Sequence, residues 1–293
     1  MYKLLILLML FTTQIKAEES LKLLIGFPPG GGQHIVGQIL EEGLNEMGYK
    51  ALLINKPGAG GVIAMNECVI KSDPRLLCLV SQSQLVHSGI LSPDAVKYDP
   101  VNLTYIKLLG ESPMVLLSNI NNTKTLPEIL MDIKNNKVTF GSGALGNTQA
   151  AQSLMKHVNS KEGIDVTYKG VGPAIIDLMG GHVTYVIAPY TAAKNQIDNK
   201  LVRLVAGLDD TSYIPNLPKI VNFSVPTTRF GFVTGTHLDT ISIKTQHQLI
   251  VSLMKNKTVQ SKLKDQGIFI ANKNLTGNDY KSFTIQEIQS LSK

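Results

Sequence analysis

Two glycine-rich turns in this sequence could bind an anion with main chain alone. The first is Phe27-Pro28-Pro29-Gly30-Gly31-Gly32. It follows an apolar run, Leu21 to Phe27, that reads as a buried strand, and it precedes helical spacing at Ile35, Ile39, Leu40, Leu44 and Met47. Proline fixes φ and stiffens the turn, while glycine permits φ > 0 and lets a ligand come close to the backbone. The next helix aims unpaired N–H groups and the positive end of its dipole at the loop. Such a place suits a carboxylate or a phosphate. The same residues would also serve a plain tight turn.

The second turn is Gly141-Ser142-Gly143-Ala144-Leu145-Gly146, between a strand at Val138 to Phe140 and a helix at Thr148 to Val158. It fits G-x-G-x-x-G, and Asp165 follows about 20 residues on, as in dinucleotide-binding folds. It lies mid-chain, however, and not in the first strand–helix–strand unit. We read it as a second main-chain anion site with Ser142, Asn147 and Thr148 as added donors. Asn147 or Thr148 also fits a simple helix cap.

Catalytic chemistry finds little support. Neither turn ends in Gly-Lys-Ser/Thr, no G-x-S-x-G elbow occurs, and the acidic residues are too thinly spread to pair. The six histidines are dispersed, without zinc-ligand spacing. No catalytic residue, metal or cofactor is expected. Cys68 and Cys78 permit one disulfide or two buried thiols.

The elements that must hold these turns alternate strand and helix. Strands are expected at Ala51 to Ile54 and Leu76 to Val80, with a helix from Val62 to Lys71 between them. This pattern implies parallel pairing. It restarts after about Asn119, with a helix at Leu126 to Lys134, a strand at Val166 to Tyr168 and a helix at Gly172 to Met179. Strands at Val183 to Ile187 and Val202 to Ala206 follow. From Phe232 a strand and helices such as Ile243 to Lys255 return. The expected organisation is a first lobe of residues 18–118 and 232–293 with a second lobe, 119–231, inserted in it.

Residues 1–17 read as an export signal: Lys3 ahead of an apolar run, Leu4 to Phe11, with Ala17 at the cleavage point. That run is about half of the roughly 20 residues that span a bilayer. The whole chain of 293 residues is 43% hydrophobic and 17% charged, enough to build proper cores. Its 28 basic residues, less Lys3 and Lys16, against 22 acidic ones leave a mature charge of +4. That is too small and scattered for a nucleic-acid groove, so no nucleic-acid partner is expected.

Taken in order, these stretches resemble the substrate-binding receptors of tripartite tricarboxylate transporters, the Bug or TctC family. The matches are the first turn, then Asn55-Lys56-Pro57-Gly58-Ala59-Gly60-Gly61, Tyr98-Asp99-Pro100, Gly141-Ser142, Tyr168-Lys169-Gly170 and Gly180-Gly181. The resemblance implies a periplasmic, α/β fold of the periplasmic-binding-protein type II kind, two lobes with a ligand cleft between them. It implies capture of a small carboxylate by hinge closure and delivery to membrane permease subunits of a tripartite transporter. Alternatives are a sensor acting on a membrane signalling partner and a secreted α/β enzyme. By resemblance the ligand site comprises Phe27, Pro29, Gly30, Gly31, Gln33 and His34 from the first turn, and Ser81 and Ser83 from a strand end. Ser142, Gly143, Gly146, Asn147 and Thr148 come from the second turn, with Tyr168 lining the cleft.

The sequence departs from the family pattern where His34 replaces an Asp, where Asn147-Thr148 replace Thr-Ser, and where Ala150 replaces a His. Thr184 and Ala188-Pro189 replace further polar positions. At the mouth of an anion site, Asp suits a ligand ammonium, whereas His can donate to a second carboxylate. This substitution predicts preference for a di- or tricarboxylate, or a neutral-tailed acid, over an amino acid. The other reading of His34 is a hydrogen bond inside the first helical turn.

Overall fold

A computed structural model describes residues 20–91, 93–209, 213–270 and 275–291. The expected export signal, 1–17, lies outside the described residues.

The chain opens with β1 (Leu21–Ile25), α1 (Gly32–Glu46), β2 (Ala51–Asn55), α2 (Val62–Ile70) and β3 (Leu76–Ser81). As the alternation predicted, β1 pairs in parallel with both β2 and β3. A π-helical turn, Ser83–His87, runs into α3 (Ser88–Leu91), and a long strand, β4 (Thr104–Ser112), follows. One residue later the chain enters a second sheet with β5 (Met114–Asn119). The second lobe continues with α4 (Leu126–Asn135), β6 (Thr139–Ser142), α5 (Leu145–His157), β7 (Ile164–Thr167) and α6 (Val171–Met179). It ends with β8 (Tyr185–Pro189), α7 (Tyr190–Asp198) and β9 (Val202–Gly207). β10 (Thr228–Thr234) returns to the first sheet, followed by α8 (Thr240–Lys255), α9 (Lys257–Asp265), β11 (Phe269–Ile270) and α10 (Gly277–Leu291).

The first sheet has the order β11-β4-β10-β3-β1-β2 and the second β7-β6-β8-β5-β9. Both are mixed: β10 runs antiparallel to β3 and β4, and β5 antiparallel to β8 and β9. Successive strand residues point to opposite faces, and each sheet is buried on both. Leu23 and Ile25 of β1 face Val36, Leu40 and Leu44 of α1, while Leu24 faces Val62 and Met65 of α2. In the second lobe α4 and α5 cover one face and α6 and α7 the other. Each fully buried Leu, Ile or Phe contributes about 1.5–3 kcal/mol.

The crossings fall elsewhere than at 118/119 and 231/232. β5 pairs within the second sheet and β10 begins at Thr228, so the chain crosses at Pro113 and again ahead of Thr228. A one-residue link at Pro113 joins β4 directly to β5. Asp209 Oδ2 bonds both crossings, accepting from Met114 N at 2.7 Å and from Thr227 Oγ1 at 3.0 Å.

Candidate functional site

Between the lobes lies a cavity of about 190 Å³. It sits at the C-terminal ends of β1, β3, β6 and β8, where open α/β sheets place their ligands. Gly31, Gly32, Gly146, Asn147, Val171 and Pro189 all line it, so the starts of α1, α5, α6 and α7 converge there. None of these four helices has a side-chain cap: the cap positions are Gly31, Ala144, Gly170 and Pro189. The contrast with helices that start elsewhere is partial, because α2, behind Gly61, also lacks a side-chain cap. Asp239 caps α8, Asn256 caps α9, and Glu128 closes a capping box on α4. At α7 the first amides are already taken within the protein, Tyr190 N by Pro113 O at 2.8 Å and Thr191 N by Ser112 Oγ at 3.0 Å, so the main-chain donors left for a ligand belong to the other three starts. Among the described residues the lining includes no Asp, Glu, Lys or Arg. Any charge held there must be met by main-chain dipoles and neutral donors.

The lobes touch around the cavity. Gly146 N donates to Ser83 Oγ at 3.0 Å, from α5 to the π-helical turn. Gly30 (φ +86°) makes the bend that brings Pro28 to Gly30 against Gly170 and Gly172. A Cβ on Gly170 would lie 2.6 Å from Pro28 Cγ, and one on Gly172 3.3 Å from Gly30 C. The conformation is closed.

Of the residues expected in the site, Phe27, Gly31, Gln33, Ser81, Ser83, Gly143, Gly146 and Asn147 line the cavity. Gln33 has no free donor: Nε2 bonds Leu79 O at 2.8 Å and Gln84 Oε1 at 2.7 Å, and Oε1 accepts from Gly26 N at 2.9 Å. It fixes the ends of β1 and β3. Asn147 Nδ2 likewise donates to Ile187 O at 2.9 Å.

Pro29, Gly30, His34, Ser142, Thr148 and Tyr168 are not on the cavity wall. Pro29 and Gly30 belong to the lobe contact just described. Ser142 Oγ lies 2.8 Å from Thr148 Oγ1 and donates to Asp165 Oδ2 at 3.0 Å, so this cluster is spent within the second lobe. Asp165, which imitated a ribose ligand in sequence, serves that cluster. Tyr168 donates its hydroxyl to Asp177 at 2.6 Å, and burial and that carboxylate push its pKa up to about 12.

A family model for the tripartite tricarboxylate transporter family receptor matches residues 35–291. The chain belongs to that receptor family. It is 28% identical over 257 residues to protein BugT of Bordetella pertussis, covering 83% of this chain and 77% of the relative. MatC from Rhodopseudomonas palustris, solved with bound malate, superimposes with a TM-score of 0.82 at 18% identity, over 92% of this chain and 97% of that one. Another Rhodopseudomonas palustris protein, Rpa4515 with adipate, gives 0.85 at 17% identity, over 93% and 95%. At such identities the two structures attest to the fold.

Several receptor motifs support the cavity loops from behind. Asn55 Nδ2 donates to Phe27 O at 2.7 Å, holding the first turn. That bond orients the amide, so its NH2 also meets His34 Nδ1, at 3.0 Å, and His34 accepts. His34 does not line the cavity, and burial lowers its pKa. Its Nδ1 holds Asn55, and the neutral ring then carries its proton on Nε2. Tyr98 donates its hydroxyl to Gln84 O within the π-helical turn, and Tyr168 N donates to Ser142 O at 2.7 Å.

Sequence reasoning missed much of the apolar wall: Met114, Val171, Val225, Pro226 and Phe230. It also missed six polar residues, Gln82, His87, Gln149, Ser153, Ser224 and Thr228. The only sequence signals were Pro113 and Pro226 beside the crossings. Nothing in the sequence marks His87.

Proposed function

We propose that this receptor is exported to the periplasm, closes on a small carboxylate, and hands it to the membrane subunits of a tripartite transporter without altering it. One observation carries the reading: uncapped helix starts from both lobes face a single closed cavity. Each lobe supplies part of the anion site, so a ligand reaches all of it only when the lobes are together, and binding shifts the population toward closure. Relatives of the same fold with malate and adipate agree with a di- or tricarboxylate or related organic acid. With no Asp or Glu in the lining, an amino acid's ammonium would go unmatched. Among the described residues no lining serine is hydrogen-bonded to His87, which favours a binding role over an enzymatic one.

The test is a thermal-shift panel of mono-, di- and tricarboxylates and amino acids on the mature protein. A ligand at about 100 times its Kd adds roughly 2.7 kcal/mol, visible as a rise in Tm. A response to acids and none to amino acids is the expected result. No response to any carboxylate sinks the proposal.

A further inference from the structure

One stripe of α5 leads out of the cavity. Gly146, Ala150 and Ser153 line it and stand four and three residues apart, so they share a face of the helix. His157, the last residue of α5, falls on the same face four residues further on. Along this stripe the helix passes from core to surface: Ala150 is 3% exposed, whereas Ser153 and His157 are open to solvent. The segment returning from β9 runs beside it. Val225 packs in the core cluster that holds Ala150, and its neighbours Ser224 and Pro226 line the cavity from the surface. Among the described lining residues only Ser153, Ser224 and Pro226 are exposed. The closed lobes therefore seal the helix starts and leave an outlet here, rimmed by the second lobe. Beyond the rim the two tracks meet again: the rings of His157 and Phe223 have centroids 5.2 Å apart. From Gly146 to His157 the helix rises about 16 Å.

Size and chemistry narrow what uses such an outlet. A cavity of about 190 Å³ lies below the roughly 300–1,000 Å³ that encloses a drug-sized ligand, so an acid much larger than a compact one must extend through the opening. Ala150, Val225 and Pro226 make the way out apolar. We propose that the receptor takes a long-tailed acid, whose carboxylate sits at the helix starts while an uncharged, apolar tail follows α5 past Ser153 and Ser224 to lie over the rings of His157 and Phe223. This inference rests on the carboxylate-receptor reading and names the class of acid. Methylenes laid against Ala150 and Val225 add hydrophobic energy that a short acid lacks. An aryl end adds offset or edge contacts with the two rings. A charged group midway along the tail would be desolvated against uncharged walls.

Calorimetry on the mature protein tests this with straight-chain monocarboxylates from butyrate to decanoate and with 8-phenyloctanoate. Each methylene buried ahead of the rim should tighten binding about fourfold, and longer chains should bind no worse. The phenyl acid should bind about tenfold tighter than butyrate or more. Ser153→Trp sets a bulky ring in the outlet, and the ratio of 8-phenyloctanoate to butyrate affinity should fall about tenfold or more. Affinity that drops once the chain outgrows the cavity, or a ratio that survives in Ser153→Trp, overturns the inference and leaves carboxylate binding standing. Binding of short di- or tricarboxylates alone does the same. If no acid of any length binds, both readings fall together.

Discussion

The Gly146 amide of one lobe donates to the Ser83 hydroxyl of the other at 3.0 Å. This bond can form only while the lobes are together. Ser83→Ala leaves the Gly146 N–H facing a methyl group in the closed form. The expected cost is about 1 kcal/mol, or roughly fivefold weaker carboxylate binding by calorimetry. The Tm of the ligand-free protein should move much less than the affinity. An unchanged affinity would remove the bond from the account of closure.

Gly143 governs how two helix starts meet. A Cβ there would lie 2.0 Å from Val171 N and 2.1 Å from Gly170 C, both backbone atoms that cannot swing aside. Gly143→Ala should push the starts of α5 and α6 apart. Overpacking of this kind costs about 1–3 kcal/mol, measurable by urea denaturation, and ligand binding should weaken as well because both starts line the cavity.

Acid should weaken the folded, closed protein through His87. Burial lowers its pKa from 6.5 to about 4 in the folded state. Between those values the unfolded chain takes up a proton that the folded one refuses, so stability falls as pH drops. It is fully present above about 6.5 and the loss is complete below about 4. The upper limit is about 3 kcal/mol. Denaturation curves from pH 7.5 to 4 on wild type and His87→Gln should differ in slope over this window and nowhere above it.

Cys68 of α2 and Cys78 of β3 form a disulfide, with Cα atoms 6.2 Å apart, within the first lobe. The link closes a short loop of sequence separation 10, and loops of about this size give roughly 3 kcal/mol through the unfolded chain. Replacing both cysteines by serine or alanine should lower Tm by several degrees. Carboxylate affinity should hold, since neither residue lines the cavity.

The alternation of strands and helices was legible because each parallel strand is a short apolar run punctuated by glycine or proline. Both glycine turns were legible for the same reason, and both reach the cavity. Single-residue events were not. Pro113 divides β4 from β5 and moves the lobe boundary by a single-residue link, too short to read as a connection between two sheets. The partner of His34 was not legible, because Asn55 lies 21 residues away in sequence. His87 and Gln149 are lone polar residues on separate elements of separate lobes, and only closure makes them neighbours. Ser142 and Thr148 were read as donors to a ligand, but Asp165 consumes that capacity locally.

Recognition written in peptide amides has an evolutionary corollary. Nearly any residue type presents the same N–H, so wherever a helix start tolerates a Cβ, as Gly32, Gly143 and Gly170 do not, a substitution leaves the grip on an acid group in place. Changes at Met114, Ser153, Val225 or Phe230 instead reshape what the remainder of the molecule encounters. Descendants of such a scaffold can therefore exchange one nutrient for another while their hold on the shared functional group stays put.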